Sequence, residues 1–250
     1  MLVDYSVEIG PEQPALEFPW ISDDGRLRYI DLKSNLFLLA HLREAKDCPE
    51  LAAFLGRINA AGFPLQTAKC DLWQTNELSA EEEIFNAESK CGSYIDLLFV
   101  DGPQRFSFEQ HESLVKELCA LLKRAPEMPA SVEFVIRQCH YHADLHGSRT
   151  APVGQNMEEE SSAGEERSER EEHQAKDASN ARGESSGKSE VSVRKESNEM
   201  DESSKRDASK AGFYITAYVS GFDDGHQEAL LRWGIALKLV QHALVQWANR

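Results

Sequence analysis

The sequence predicts an α+β protein: a mostly antiparallel sheet of four to five strands in ββαββα order, with helices packed on one face and a long disordered insertion. Three observations carry this expectation. Runs with strand-like alternation recur at residues 65–73, 93–100, 132–141 and 213–220. Each pair of runs leads into a helical stretch. Between residues 147 and 210 large apolar side chains almost vanish in favour of Ser, Glu, Lys, Arg and Asn, a composition that buries too little surface to offset its ordering entropy. The expected organisation is one domain made of residues 1–146 and 211–250, with 147–210 as an acidic, Ser/Glu-rich disordered insertion whose serines are candidates for phosphorylation.

Taken in order, residues 1–30 are turn-rich, with Pro11, Pro14 and Pro19 and a Ser22-Asp23-Asp24-Gly25 turn. Short extended pieces fit residues 5–9 and 26–30. A helical pattern covers residues 33–45, where Leu36, Phe37, Leu39 and Ala40 cluster. Asp47 and Pro49 open a second helix, carried by Leu51, Phe54, Leu55 and Ile58 and stopped at Ala61-Gly62. After the strand at 65–73, Ser79-x-x-Glu82 matches a capping box and predicts a short helix to residue 88. The next strand closes in the turn Asp101-Gly102-Pro103. Ser107 then caps a helix striped by Leu114, Val115, Leu118, Leu121 and Leu122, which ends before Pro126. The last helix, residues 224–247, is apolar around most of its circumference and is expected to be central or part of a self-association surface. If an early strand joins the sheet, the order becomes ferredoxin-like with an extension.

Charge and cysteine content narrow the function classes. The chain of 250 residues has a formal net charge of −16, and the 147–210 segment supplies only 5 of those charges, with 16 acidic against 11 basic residues. Such acidity argues against nucleic acid, which is bound by clustered Lys and Arg, and against an anionic membrane surface. It suits a basic protein partner. The cysteines, Cys48, Cys70, Cys91, Cys119 and Cys139, are odd in number, scattered and free of C-x-x-C pairs, as in reduced cytoplasmic proteins. The N-terminal residues have no signal-peptide pattern and no stretch is apolar enough for a transmembrane span.

Sorting the strands by alternation separates two faces. One is apolar: Cys70 and Leu72, Ile95 and Leu97, Phe134 and Ile136, Ile215 and Ala217. The other carries Lys69, Asp71, Trp73, Tyr94, Asp96, Glu133, Arg137, Tyr214 and Tyr218. Aromatic bodies with polar tips among fixed charges are what a binding surface uses, so these nine residues are the candidate site. Two plainer readings compete. The face is solvated and laced with cross-strand ion pairs, or the N-terminal segment covers it with Phe18 and Trp20.

An alternative function, a metal-dependent hydrolase, would use Asp71, Asp96 and Glu133, with His140 and His142 as outside candidates. His140, His142, Asp144 and His146 would share one side of an extended strand, a spacing suited to zinc, but no distant second half-site accompanies them. Neither a nucleophile elbow nor a phosphate-binding loop occurs, and no cofactor is expected.

Overall fold

A computed structural model describes residues 1–22, 25–142 and 209–250. Apart from Ser209 and Lys210, the predicted insertion lies outside the described residues, as do the candidate ligands Asp144 and His146.

The two predicted ββα units form as read. The first comprises β3 (Leu65–Thr75), β4 (Ser89–Phe99) and α4 (Phe108–Leu122); the second comprises β5 (Ala130–Tyr141), β6 (Lys210–Asp223) and α5 (His226–Ala248). Their hairpins meet through β4 and β6, which pair antiparallel from Ser89 opposite Asp223 to Leu97 opposite Ile215. The sheet, expected to be mostly antiparallel with four or five strands, is mixed and has six. β1 (Leu2–Glu8) and β2 (Leu16–Phe18) both lie parallel to β5 along one edge, β1 against residues 131–137 and β2 against residues 139–141. β5 is 12 residues long, enough edge for both. The strand order β1–β5–β6–β4–β3 leaves the first strand at an edge, so it does not establish the ferredoxin-like arrangement.

α2 (Pro49–Ile58), α4 and α5 cover one face of the sheet and enclose the main core, where Phe54, Ile95, Phe134, Ala217, Trp233 and Leu244 are all buried. The last helix is central, as its composition demands. Trp233 passes beneath β4 and its indole N–H donates to Ser93 Oγ at 2.8 Å, which satisfies both polar groups inside the core. The helix comes so near to β6 that a Cβ at Gly221 would stand 2.1 Å from the Trp233 backbone nitrogen. Its outward surface keeps only Leu231 and Ile235 as exposed large apolar residues, one helical turn apart.

The predicted helix at 33–45 divides into a 3-10 turn, Leu36–His41, and the short α1 (Arg43–Asp47). Phe37 points outward, and the Asn35 side chain caps the turn by accepting from the Phe37 N–H. Lys33 is drawn inward instead. Its ammonium donates to the carbonyls of Ala60, Phe63 and Leu65 at 2.6–2.9 Å and reaches that of Ile58 at 3.4 Å, satisfying the backbone between α2 and β3. The predicted helix after Ser79 is only a 3-10 turn, Glu82–Phe85: the Ser79 N–H donates to Glu82 as a capping box requires, but Asn86 enters the left-handed region at φ 48° and stops the turn. α3 (Gly102–Arg105) occupies the turn after β4.

Candidate functional site

The face opposite the helices is ruled by the strand register. Asp71 stands opposite Tyr94, Tyr94 opposite Tyr218, Tyr218 opposite Glu133, and Glu133 opposite Asp4, making one row across five strands. The adjacent row runs Asp96, Thr216, Val135 and Ser6. In the third, Tyr214 stands opposite Arg137, and Arg137 opposite Glu8.

Aromatic rings link the first row to its neighbours. Trp73 and Tyr94 have centroids 6.5 Å apart, Tyr94 and Tyr218 lie at 6.4 Å, and the Arg137 guanidinium sits 5.5 Å from the Tyr218 centroid. Gly92 makes this possible, because its missing side chain leaves the space the Trp73 ring fills; a Cβ there would come within 2.8 Å of the ring. Trp73, Tyr94, Tyr218 and Arg137 are half-buried, whereas Asp71, Glu133 and Asp4 are exposed. None of these three carboxylates makes an ion pair among the described residues; Glu133 instead accepts from the Ser6 hydroxyl at 3.0 Å.

The expected open face is only partly open. Leu16, Phe18, Trp20 and Tyr29 fold over its far end and join Leu98, Cys139, Tyr141 and Tyr214 in a second apolar cluster. Phe18 packs edge-on against Tyr29 and Tyr141, and the Trp20 indole N–H donates to the Ala68 carbonyl at 3.0 Å. Tyr214, expected on the open surface, is covered within this cluster at 6% relative exposure, and Asp96, expected there too, is buried at 5%. The cover over Tyr214 is the N-terminal one that Phe18 and Trp20 suggested, and it reaches only the far end of the face.

Burial has a chemical consequence for Asp96. Loss of solvent pushes its carboxyl pKa up to about 6, although the Thr216 hydroxyl, which donates to Oδ1 at 2.7 Å, and the charges of Lys69 and Arg137 oppose the shift. Arg137 does not touch Asp96 directly. Its Nη1 donates to Thr216 Oγ1 at 3.2 Å and to the Tyr218 hydroxyl at 3.0 Å, while Nε and Nη2 each lie 2.8 Å from Glu8 Oε2. The same desolvation, with Asp96 and Asp71 nearby, pushes the Tyr94 hydroxyl up to about 12, so it remains a neutral donor and acceptor.

Beside this face a cavity of about 430 Å³ opens along the edge of β3. Leu32, Leu42, Leu55, Ala68 and Cys70 form its apolar walls and Trp20 bounds it. Lys69, Asp71 and Tyr94 belong to both cavity and face, and the Lys69 ammonium rests 4.9 Å from the Trp20 ring. Cys70 supplies a neutral thiol, since burial pushes its pKa up to about 12.

The hydrolase alternative finds no metal centre: among the described residues no three His, Cys, Asp or Glu side chains converge. Asp96 is held by Thr216 under cover, whereas Asp71 is exposed and accepts from the Leu72 N–H at 2.8 Å. His142 pairs with Glu17 of β2, and His140 lies in the β5–β6 ladder opposite Ala211. No helix among the described residues is long and apolar enough to cross a membrane.

Sequence reasoning missed Asp4, Ser6 and Glu8 because β1 was not placed in the sheet, although Val3 and Tyr5 alternate with them and face the core. Leu42 and Glu44 of the cavity were hidden in a misread helix; no local pattern marks a recess formed between segments distant in the chain. No family model, curated protein or solved structure matches this chain.

Proposed function

We propose that the chain is a binding module whose open sheet face receives a basic segment of a partner protein. The observation that carries this reading is the cluster of Trp73, Tyr94, Tyr218 and Arg137, whose half-buried side chains meet in succession across β3, β4, β6 and β5 beside three carboxylates that make no ion pair among the described residues. Rings prepaid in conformational entropy make good anchors, and their faces attract Lys and Arg side chains. Asp4, Asp71 and Glu133 add complementary charge, and the net charge of −16 would steer a basic partner toward the molecule.

The test is capture with cross-linking from the native host, comparing the natural sequence with a Trp73→Ala/Tyr218→Ala double variant and an Asp71→Lys/Glu133→Lys variant. A partner that cross-links to β3, β4 or β6, is lost from both variants and releases as salt rises supports the reading. Undiminished capture by both variants overturns it.

A further inference from the structure

The cavity at the β3 edge has features the docking reading does not use. The β3–β4 register shifts between Thr67 and Cys70, and the consecutive residues Thr67, Ala68, Lys69, Cys70 and Asp71 all line this one recess. A regular strand would turn alternate residues away; a bulge at a sheet edge bends the strand and re-aims its side chains. The edge before the recess is closed by other groups: Lys33 holds the Leu65 carbonyl, and Asn59 exchanges hydrogen bonds with Thr67 through both its amide oxygen and its amide nitrogen. What is left open is the recess itself.

Its chemistry is bipolar. Arg28 and Lys69 supply positive charge at its lining, Glu44 and Asp71 negative charge, and none of the four makes an ion pair among the described residues. Between them lies an apolar wall of Leu32, Leu42, Leu55 and the neutral Cys70 thiol. A purely apolar guest would leave both sets of charges unanswered, and an anion or a cation would leave one set. A molecule carrying both charges next to an apolar body answers all three parts. The volume of about 430 Å³ lies within the range used for small ligands and is ample for one large amino acid.

We propose that this cavity binds a small zwitterion with a large apolar side chain, an amino-acid-like molecule. Its carboxylate faces Lys69 and Arg28, its ammonium faces Asp71 and Glu44, and its side chain lies against Leu32, Leu42 and Leu55. Trp20 bounds the seat, so the segment that covers the far end of the sheet face also builds one wall of the ligand site.

The proposal is tested on the full chain by calorimetric titration with L-leucine, L-phenylalanine and L-tryptophan, and with the N-acetyl and amide derivative of each. Saturable binding of at least one free amino acid is expected. Capping either charged end should weaken binding about tenfold or more, as expected for loss of a charge-assisted contact. Glu44→Gln and Lys69→Met should each weaken it similarly, and Leu42→Trp, which fills the recess, should abolish it. No saturable binding of any of the three at millimolar concentrations, equal binding of the capped forms, or indifference to all three substitutions overturns the proposal. A failed titration leaves the docking reading standing, because Trp73 and Tyr218 line no wall of the cavity.

Discussion

Asp96→Asn should stabilise this protein at neutral pH, although it removes a hydrogen-bonded carboxylate. In the folded state burial raises the Asp96 pKa from an ordinary 3.8 to about 6. An acid with a raised folded pKa favours the native state only while it is protonated. Its penalty is absent below the unfolded value, grows as pH rises through the interval from 3.8 to about 6, and is complete above it. The difference between the two values corresponds to about 3 kcal/mol at pH 7.5. Asparagine keeps an acceptor for the Thr216 hydroxyl and carries no charge to desolvate, so the net gain should be about 2 to 3 kcal/mol, or about 5 to 10 °C in melting temperature. Urea denaturation of both proteins from pH 4 to pH 7.5 measures it, and subtracting the two curves cancels every other titrating group. The gap should close as pH falls to 4. A variant less stable than the natural sequence at pH 7.5, or a gap that does not change with pH, would show that Lys69 and Arg137 hold the carboxylate ionised and that the desolvation argument is wrong.

Gly221→Ala should cost about 3 kcal/mol or more, because its methyl group would meet the α5 backbone rather than a side chain able to swing away; near-native thermal stability would contradict the close approach. Lys33→Met should cost about 3 kcal/mol in urea denaturation by stripping a donor from the carbonyls that follow α2, and a neutral result would mean that water replaces it without loss. His111 is buried against Phe99 and Phe213, and burial lowers its pKa, although the Ser107 and Phe213 backbone groups oppose the shift. It therefore contributes stability above the ordinary histidine range that is lost as pH falls through that range, so His111→Phe should lose less stability between pH 7 and pH 5 than the natural sequence; equal slopes would refute a neutral buried imidazole. Gly92→Ala should displace the Trp73 ring and shift tryptophan emission at a stability cost of about 1 kcal/mol, whereas an unchanged spectrum would put the ring elsewhere.

What could be read from the residues was whatever depends on short-range periodicity. The alternation of Tyr94 and Asp96 with Ile95 and Leu97, and of Tyr218 with Ala217 and Val219, fixed which side chain lies on which face. The apolar girth of the last helix likewise announced its central place, with Trp233, Leu237 and Val240 all buried. What failed was anything decided by contacts between distant segments. The Leu16–Phe18 strand is three residues long, too short to show a period, and it exists because β5 offers it an edge. Tyr214 lay on the predicted side, and cover by Phe18 and Trp20 was one of the readings open, but no local pattern could say which end of the face that cover, with Tyr29, would reach. The helix read at 33–45 is parted at Leu42, whose backbone is extended, and Lys33 lies outside both pieces, drawn to backbone acceptors beyond α2 that helical spacing cannot express.

The parallel pairing of β1 and β2 with β5 also orders events in time. Ser6 meets Glu133 across 127 residues, so the first strands have no sheet edge to join until more than half of the polypeptide has been made. Closing so large a span is entropically demanding, and contacts of this reach form slowly. Trp233 reaches Ser93 across a still longer span of 140 residues, so the hood over Tyr214 and the core beneath the sheet both wait on distant contacts. Maturation of the site and completion of the fold would then be a single late event.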